Sequence, residues 1–283
     1  MLFDSHTHSC FSPDADRETT VQKMSHQAEL LGLDYITVTD HCDVNFFYPQ
    51  NEYDYPDYQI KDKDMFGSRD YSKKSIDTVL SLKQKYKNLL CGIELGQPLQ
   101  SPDNAKQMLS IKGLDFVIGS LHMISGRPDF YWIEYDKMDR SEIYHLLESY
   151  FCELLDMAKL AEFDSLGHLT YPLRYIEGEH GMKVDTGRFD DIIREIFCTL
   201  IYNGKGIEIN TSGLRQRYGK PFPDKKYLGL YRESGGEIVT IGSDAHKIAD
   251  IGKGIPESVQ LLKECGFKYA AVYIDRKPKM VSL

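Results

Sequence analysis

The chain opens with Leu2-Phe-Asp-Ser-His6-Thr-His8-Ser-Cys-Phe-Ser-Pro-Asp14-Ala-Asp16, which joins a short apolar run to a His-x-His pair. Residues two apart on a strand point to the same face of the sheet. His6 and His8 can therefore share one metal ion. Taken alone, the pair fits polar decoration of an edge strand about as well, because short His-x-His patterns also arise by chance.

Later apolar runs end in the same way, and this recurrence favours the metal interpretation. Each run is typical of a buried strand that closes on a histidine or a carboxylate. The runs are Tyr35-Ile-Thr-Val-Thr-Asp40-His41, Leu89-Leu-Cys-Gly-Ile-Glu94, Phe116-Val-Ile-Gly-Ser-Leu-His122, Phe163-Asp-Ser-Leu-Gly-His168 and Ile238-Val-Thr-Ile-Gly-Ser-Asp244-Ala-His246. Of the nine histidines, only His26, His145 and His180 lie away from such strand ends.

Amphipathic helical patterns separate these strands and predict an α/β fold. We expect helices at 18–31, 75–86, 102–112, 141–160, 189–202, 224–234 and 256–265. Ser141 is the expected N-cap of the longest one. Strands alternating with helices predict a parallel sheet closed as a distorted TIM-like (β/α)7 barrel. Its C-terminal face, where such barrels carry their active sites, would hold the ligand-type residues. We expect one domain over residues 1–283, with a short strand pair near 269–283 outside the barrel.

Composition narrows the functional classes. The 283 residues carry a formal net charge of −9 at pH 7, which argues against nucleic acid as a partner. Polar residues interrupt every apolar run before the length of a membrane span, and no signal peptide is evident, so we expect no membrane partner and a cytoplasmic protein. The six cysteines form no Cys-x-x-Cys pair. Metal binding therefore depends on histidine and carboxylate, which suit zinc, iron or manganese.

Two long connections are candidate substrate walls. The stretch from Asp43 to Tyr71 is too long for an ordinary connector. It is either a lid over a site or a surface insertion, and its many aromatic residues favour the lid. They include Phe46, Phe47, Tyr48, Tyr53 and Tyr55. The connection 123–140 contains the single tryptophan of the chain, Trp132.

Taken together, the motifs resemble those of the polymerase and histidinol phosphatase (PHP) superfamily. The matching motifs are His6-Thr-His8, Thr39-Asp-His41, Gly92-Ile-Glu94, Gly119-Ser-Leu-His122, Gly167-His168 and Ser243-Asp244-Ala-His246. Chain length, Ser9-Cys-Phe-Ser-Pro, Gly92-Ile-Glu-Leu-Gly96 and Glu208-Ile-Asn-Thr-Ser-Gly-Leu-Arg215 further resemble its monofunctional histidinol-phosphate phosphatases. The resemblance implies a metal-dependent phosphomonoesterase that hydrolyses L-histidinol phosphate in histidine biosynthesis.

The resemblance also implies three divalent metal ions, which would be zinc, manganese or iron. Their ligands would be His6, His8, Glu94 and Asp244 for the first, Glu94, His122 and His168 for the second, and Asp14, His41 and His246 for the third. Related phosphatases often have a histidine where this chain has Asp14. An aspartate oxygen there would shift metal preference toward manganese or iron. Asp16 is the alternative ligand, and a helix cap is its other possible role.

Such a site suits the hydrolysis of a phosphate ester. Glu94 would bridge two ions that share a hydroxide, and this hydroxide would attack phosphorus in line with the leaving group. The catalytic residues would be Glu94, Asp244 and His246. A proton relay through Asp244, a water molecule and a loop tyrosine all stay open as the source of the leaving-group proton.

Other residues are candidates for substrate binding. Arg174 and Arg215 could clamp the phosphate, because a guanidinium pairs with two phosphate oxygens; a surface position or an ion pair is the alternative for each. Asp43, together with Asp129 and Glu134, could bind the ammonium and imidazole groups of the substrate.

Two other functions stay open beside the favoured one. A PHP phosphoesterase acting on nucleotides or nucleic-acid ends is disfavoured by the acidic charge. A non-catalytic, metal-stabilised module of an assembly should have lost ligands, whereas here every expected position is filled. The sequence leaves the oligomeric state open.

Overall fold

The computed structural model describes residues 1–45 and 68–283, and their side chains except those of residues 68–70. Residues 46–67 of the predicted lid over 43–71 therefore lie outside the described residues, and all five of its aromatic residues named above are among them.

Seven parallel strands form a nearly closed barrel, which confirms the predicted α/β barrel. In their hydrogen-bonded order the strands are β1 (Phe3–Thr7), β2 (Tyr35–Val38), β4 (Leu89–Gly96), β5 (Phe116–Ser120), β6 (Ser165–Leu166), β7 (Gly206–Asn210) and β8 (Val239–Gly242). A short strand that the sequence did not predict, β3 (His41–Asp43), pairs with β4 beyond the end of β2. It carries His41 further along the barrel wall, where its residue partner is Glu94.

The barrel closes where β1 meets the residues that follow β8. The backbone N–H of Asp244 donates to the carbonyl of His6 at 2.7 Å, and the N–H of His8 donates to the carbonyl of Ala245 at 2.9 Å. Thr7 and Ala245 form a parallel bridge beside them. The candidate ligands of the first strand, His6 and His8, are thus joined by backbone hydrogen bonds to the segment after the last barrel strand, which carries Asp244.

Helices surround this barrel close to the predicted positions, except that the second begins at Ser68 and ends at Leu82, where 75–86 was predicted. In the described part of the chain they are α1 (Val21–Leu30), α2 (Ser68–Leu82), α3 (Pro102–Leu109), α4 (Arg140–Leu160), α5 (Asp190–Tyr202), α6 (Lys225–Glu233) and α7 (Ile255–Glu264). None of the helices in the described ranges is long and apolar enough to cross a membrane.

A second sheet lies at the opposite end of the barrel from the strand C-termini. Strands β9 (Tyr269–Ile274) and β10 (Lys277–Ser282) pair antiparallel. Arg276 in their turn donates from Nε to Asp164 at 2.5 Å, just before β6 begins. The Tyr273 ring stacks on Phe116 with centroids 5.0 Å apart. Phe3 and Val281 belong to one hydrophobic cluster, but the single-domain assignment stays a prediction.

The start of α4 differs from the sequence expectation. Asp139, not Ser141, is the N-cap: its Oδ1 accepts the backbone N–H of Glu142 at 2.9 Å, and Oε2 of Glu142 accepts the N–H of Asp139 at 2.7 Å. This reciprocal pair is a capping box. The Ser141 prediction was wrong because the aspartate two residues earlier has a glutamate at the required spacing.

The capping box gives a test of the fold. Asp139→Ala should lower the free energy of unfolding by about 1 kcal/mol, because the backbone N–H of Glu142 loses its side-chain acceptor. Ser141→Ala is the matched control and should change it by less than about 0.5 kcal/mol, since Ser141 lies inside the helix. Urea unfolding followed by circular dichroism measures both, and equal losses would contradict the assignment.

Candidate metal centre

The Glu94 carboxylate lies at the centre of the barrel mouth, only 1% exposed. Its Oε1 lies 3.1 Å from Nε2 of His122 and 2.8 Å from Nε2 of His168. The hydroxyl of Ser120 donates to the same oxygen at 2.8 Å. Oε1 of Glu94 therefore lies beside His122 and His168. These three side chains are the ones expected to hold the second ion.

The other oxygen of Glu94 faces a different group. Oε2 lies 2.8 Å from Nδ1 of His41 and 3.6 Å from Nε2 of both His6 and His8. The two oxygens of one buried carboxylate thus address separate sets of imidazole nitrogens. This is the arrangement that a bridging ligand between two ions requires.

The donor set around His6 and His8 fits a divalent cation. Nδ1 of His6 donates to Oε1 of Glu208 at 2.7 Å, and Nδ1 of His8 donates to the hydroxyl of Ser12 at 3.0 Å. Each Nε2 then carries a lone pair, and the two Nε2 atoms face each other at 3.0 Å. Two zinc-bound nitrogens in tetrahedral geometry lie about 3.3 Å apart. Oδ1 of Asp244, 3.4 Å from Nε2 of His8, adds a carboxylate oxygen.

Behind His122 lies Asp43, which was a candidate substrate-binding residue. Its Oδ1 is 3.3 Å from Nδ1 of His122 and accepts a hydrogen bond from Nε2 of Gln97 at 2.9 Å. The contact with His122 presents Nε2 of that ring to Glu94. Asp43 thus orients a metal ligand or joins the group itself, and a substrate-binding role stays a prediction.

The third predicted group brings together Asp14 and two histidines. Oδ2 of Asp14 lies 3.3 Å from Nε2 of His41 and 3.1 Å from Nε2 of His246. The carboxylate of Asp16 instead accepts the backbone N–H of Glu18 at 3.0 Å. The geometry therefore favours Asp14 over Asp16 as the carboxylate donor of this group.

Coupled charges shift the pKa values of the cluster in opposite directions. Burial raises the pKa of Glu94, but nearby His122 and His6 outweigh it and hold the pKa well below its usual range. Burial, together with His246 and His41, lowers the pKa of His8 to about 4. Burial also opposes charging of His122, yet Glu94 raises the pKa of that ring to about 10. Carboxylates in this pocket stay ionised only beside cations, which is the electrostatic setting of a metal site.

Two buried carboxylates support the ligands and were given no role from sequence. Glu208 on β7 contacts His6, and Asp40 accepts hydrogen bonds from Ser9 N–H at 2.7 Å and from the Ser12 hydroxyl at 2.7 Å. The sequence does contain a pattern that could have identified Glu208. Glu208 and Asn210 are spaced by two on a strand, like His6 and His8, so both point into the barrel.

The two predicted phosphate clamps have different surroundings. Nη2 of Arg215 donates to the carbonyls of Ser243 at 2.8 Å and Asp244 at 3.3 Å, so this arginine holds the ligand-bearing loop. Arg174 begins a π-helical turn, Arg174–Glu179. Burial lowers the pKa of this guanidinium, but neighbouring tyrosines and Asp244 outweigh burial, so the pKa lies above its usual value. Its buried Nε has no hydrogen-bond partner among the described residues.

Residues 4–212 match the PHP domain family, and the chain belongs to this family, as its motifs indicated. The chain is 30% identical to a probable histidinol-phosphatase from Thermotoga maritima, over 96% of this chain and 95% of the relative. It is 27% identical to the histidinol-phosphatase of Lactococcus lactis, over 98% of each chain. The crystal structure of histidinol phosphate phosphatase from Lactococcus lactis, complexed with zinc, L-histidinol and phosphate, has a similar fold. The TM-score is 0.77, with 24% identity over 98% of each chain.

The choice between Asp14 and Asp16 can be measured directly. Asp14→Ala should lower the metal content of the purified protein by about one ion per chain, because the third group loses its carboxylate donor. Asp16→Ala is the matched control and should retain the full content. Elemental analysis after gel filtration gives both numbers. Loss confined to Asp16→Ala would reverse the assignment.

Proposed function

We propose that the protein is a metal-dependent phosphomonoesterase that hydrolyses L-histidinol phosphate to L-histidinol and inorganic phosphate, as a step of histidine biosynthesis in the cytoplasm. The observation that carries the proposal is the bridging geometry of Glu94, whose two oxygens face separate histidine groups. The named relatives, similar over almost the whole chain, support the choice of substrate.

The residues present fit several divalent ions. The group of His6, His8 and Asp244 and the group of Glu94, His122 and His168 correspond to the first two ligand sets that the family resemblance implies, whereas His41 and His246 of the third set are grouped with His8. Four groups of histidine and carboxylate in the described chain have ligand atoms within 4.8 Å of one another. Bound ions would supply positive charge for the phosphate oxygens and lower the pKa of a coordinated water. Zinc, manganese and iron all suit nitrogen and carboxylate donors of this kind.

The side chains of the site differ in their exposure to solvent, and this difference suggests different roles. Glu94 is almost fully buried and would hold two ions in place, whereas the side chains of Asp244 and His246 are 13% and 25% exposed. Those two therefore face the mouth, where water and substrate enter. Asp244 is positioned to exchange a proton with water there, and Asn210 holds its Oδ2 at 3.3 Å.

An aromatic wall adjoins the second metal group and suits the imidazole half of the substrate. The ring of Tyr171 lies 4.9 Å from that of His168, and Tyr175 lies 5.4 Å from Tyr171. Tyr131, on the predicted 123–140 wall, lies 6.1 Å from Tyr175. Stacked and edge-on rings of this kind bind flat or cationic groups. Nearby Asp129 has its pKa raised to about 6 by burial.

A substrate panel tests the proposal. Phosphate release from L-histidinol phosphate should exceed release from nucleoside and sugar monophosphates by at least about 100-fold in kcat/KM, with about three ions per chain on the same sample. Activity confined to nucleotides would contradict L-histidinol phosphate as the substrate but would still support metal-dependent hydrolysis of a phosphate ester. Metal content without activity toward any phosphate ester would favour a non-catalytic module.

Arg174 is the better candidate for the phosphate clamp. Arg174→Ala should raise KM for L-histidinol phosphate about tenfold or more, because charge-assisted hydrogen bonds to phosphate are lost. Arg188 is exposed and provides the control. Arg188→Ala should leave KM unchanged. Steady-state kinetics on metal-loaded samples measures both. An unchanged KM in Arg174→Ala would remove this residue from the binding site.

A further inference from the structure

Glu208 contacts one residue from each of two predicted metal groups. Its Oε1 lies 2.7 Å from Nδ1 of His6, a ligand of the first group. Its Oε2 accepts the backbone N–H of His168, a ligand of the second group, at 3.0 Å. The carboxylate is 1% exposed, so these contacts are made away from water.

The contact with His6 acts on both the orientation and the basicity of the ring. A carboxylate on Nδ1 fixes the tautomer, turns Nε2 toward the ion and makes it a stronger donor. In the described part of the chain, Nδ1 of neighbouring His8 contacts the neutral hydroxyl of Ser12 at 3.0 Å, and the carboxylate of Asp43 is 3.3 Å from Nδ1 of His122. His6 thus has the shortest carboxylate contact of these three rings.

The contact with His168 acts on the backbone. His168 has a φ of 23°, a conformation that residues with side chains rarely adopt and that costs free energy. The hydrogen bond from its N–H to Glu208 compensates for part of that cost and fixes where the ring projects. Asn210 extends the same network, because its Nδ2 lies 3.3 Å from both Glu208 and the ligand Asp244.

We propose that Glu208 is a positioning residue that couples the first and second metal groups, so that both ions depend on one buried carboxylate that binds neither. This inference rests on the metal centre of the proposed function. It distinguishes Glu208 from Asp43, which contacts His122 of the second group at 3.3 Å. Loss of the Glu208 charge should therefore weaken two ions together, and loss of the Asp43 charge should weaken one.

The test uses the zinc-loaded protein and the isosteric variants Glu208→Gln and Asp43→Asn. Zinc release to a graded series of chelators gives the number of ions and their affinities without any substrate. Glu208→Gln should weaken two ions by about 10- to 100-fold each, and Asp43→Asn should weaken one. Exposed Glu233 supplies the control for simple loss of a negative charge, and Glu233→Gln should release zinc as the wild type does.

Two further measurements separate positioning from general damage to the fold. The visible absorption bands of the cobalt-substituted protein, which depend on ligand geometry, should change in Glu208→Gln and stay unchanged in Glu233→Gln. Thermal unfolding of the metal-free variants shows whether each is folded: Glu208→Gln should still unfold in one cooperative transition, at a somewhat lower temperature than the metal-free wild type because two buried contacts are weakened. If Glu208→Gln does not fold, Glu208→Asp keeps the charge but is too short to reach both partners, and it should again weaken two ions.

The outcomes are distinct. Release of one ion or none from a folded Glu208 variant, with an unchanged cobalt spectrum, would overturn the coupling. A wild-type protein that binds zinc but does not hydrolyse L-histidinol phosphate would instead contradict the proposed substrate, and the zinc measurements on Glu208→Gln would still decide the role of Glu208.

Discussion

The buried carboxylate of Glu94 is the constraint on which the rest of the site depends. An ionised group away from water is costly unless cations and hydrogen-bond donors surround it. Here imidazoles approach it from several strands, and Ser120 donates to it directly. That convergence requires a closed barrel, because His6 and Asp244 become neighbours only through the hydrogen bonds between β1 and the end of β8. The fold therefore brings the residues of the metal site together, and the site cannot be assembled without barrel closure.

The barrel, and most of the histidines and carboxylates that meet at its mouth, could be predicted from sequence because both depend on short-range patterns. A strand shows as an apolar run, and a ligand at its C-terminal end shows as a polar residue that closes the run. The supporting contacts could not be predicted in this way. Asp40 and Glu208 are buried carboxylates whose partners come from other strands, so their role depends on register and closure. The choice between Asp14 and Asp16 likewise depends on where His246 lies, and the short strand β3 depends on pairing with β4.

A layer of buried carboxylates beneath the candidate ligands holds the loop ends that carry them. Asp4 accepts the backbone N–H groups of Ser243 at 2.8 Å and Gly252 at 2.9 Å, which ties β1 to the loop that carries Asp244. Asp244 itself has a φ of 52°. Such backbone strain persists only where surrounding contacts impose it, and it is common at functional sites. The stability that these contacts add is partly used to hold the ligands in positions that the chain alone would not favour.

The three groups differ in how firmly the protein holds them, and the difference follows exposure. The side chains of His6 and Glu94 are 0% and 1% exposed, whereas that of Asp14 is 58% exposed. A buried ligand held by a second hydrogen bond loses little freedom when it binds an ion, but an exposed aspartate must give up solvation and side-chain motion. The group of Asp14, His41 and His246 is therefore the least preorganised of the three. It also lies nearest to solvent, so an overall acidic protein can present its most accessible positive charge at the point where a phosphate dianion would arrive.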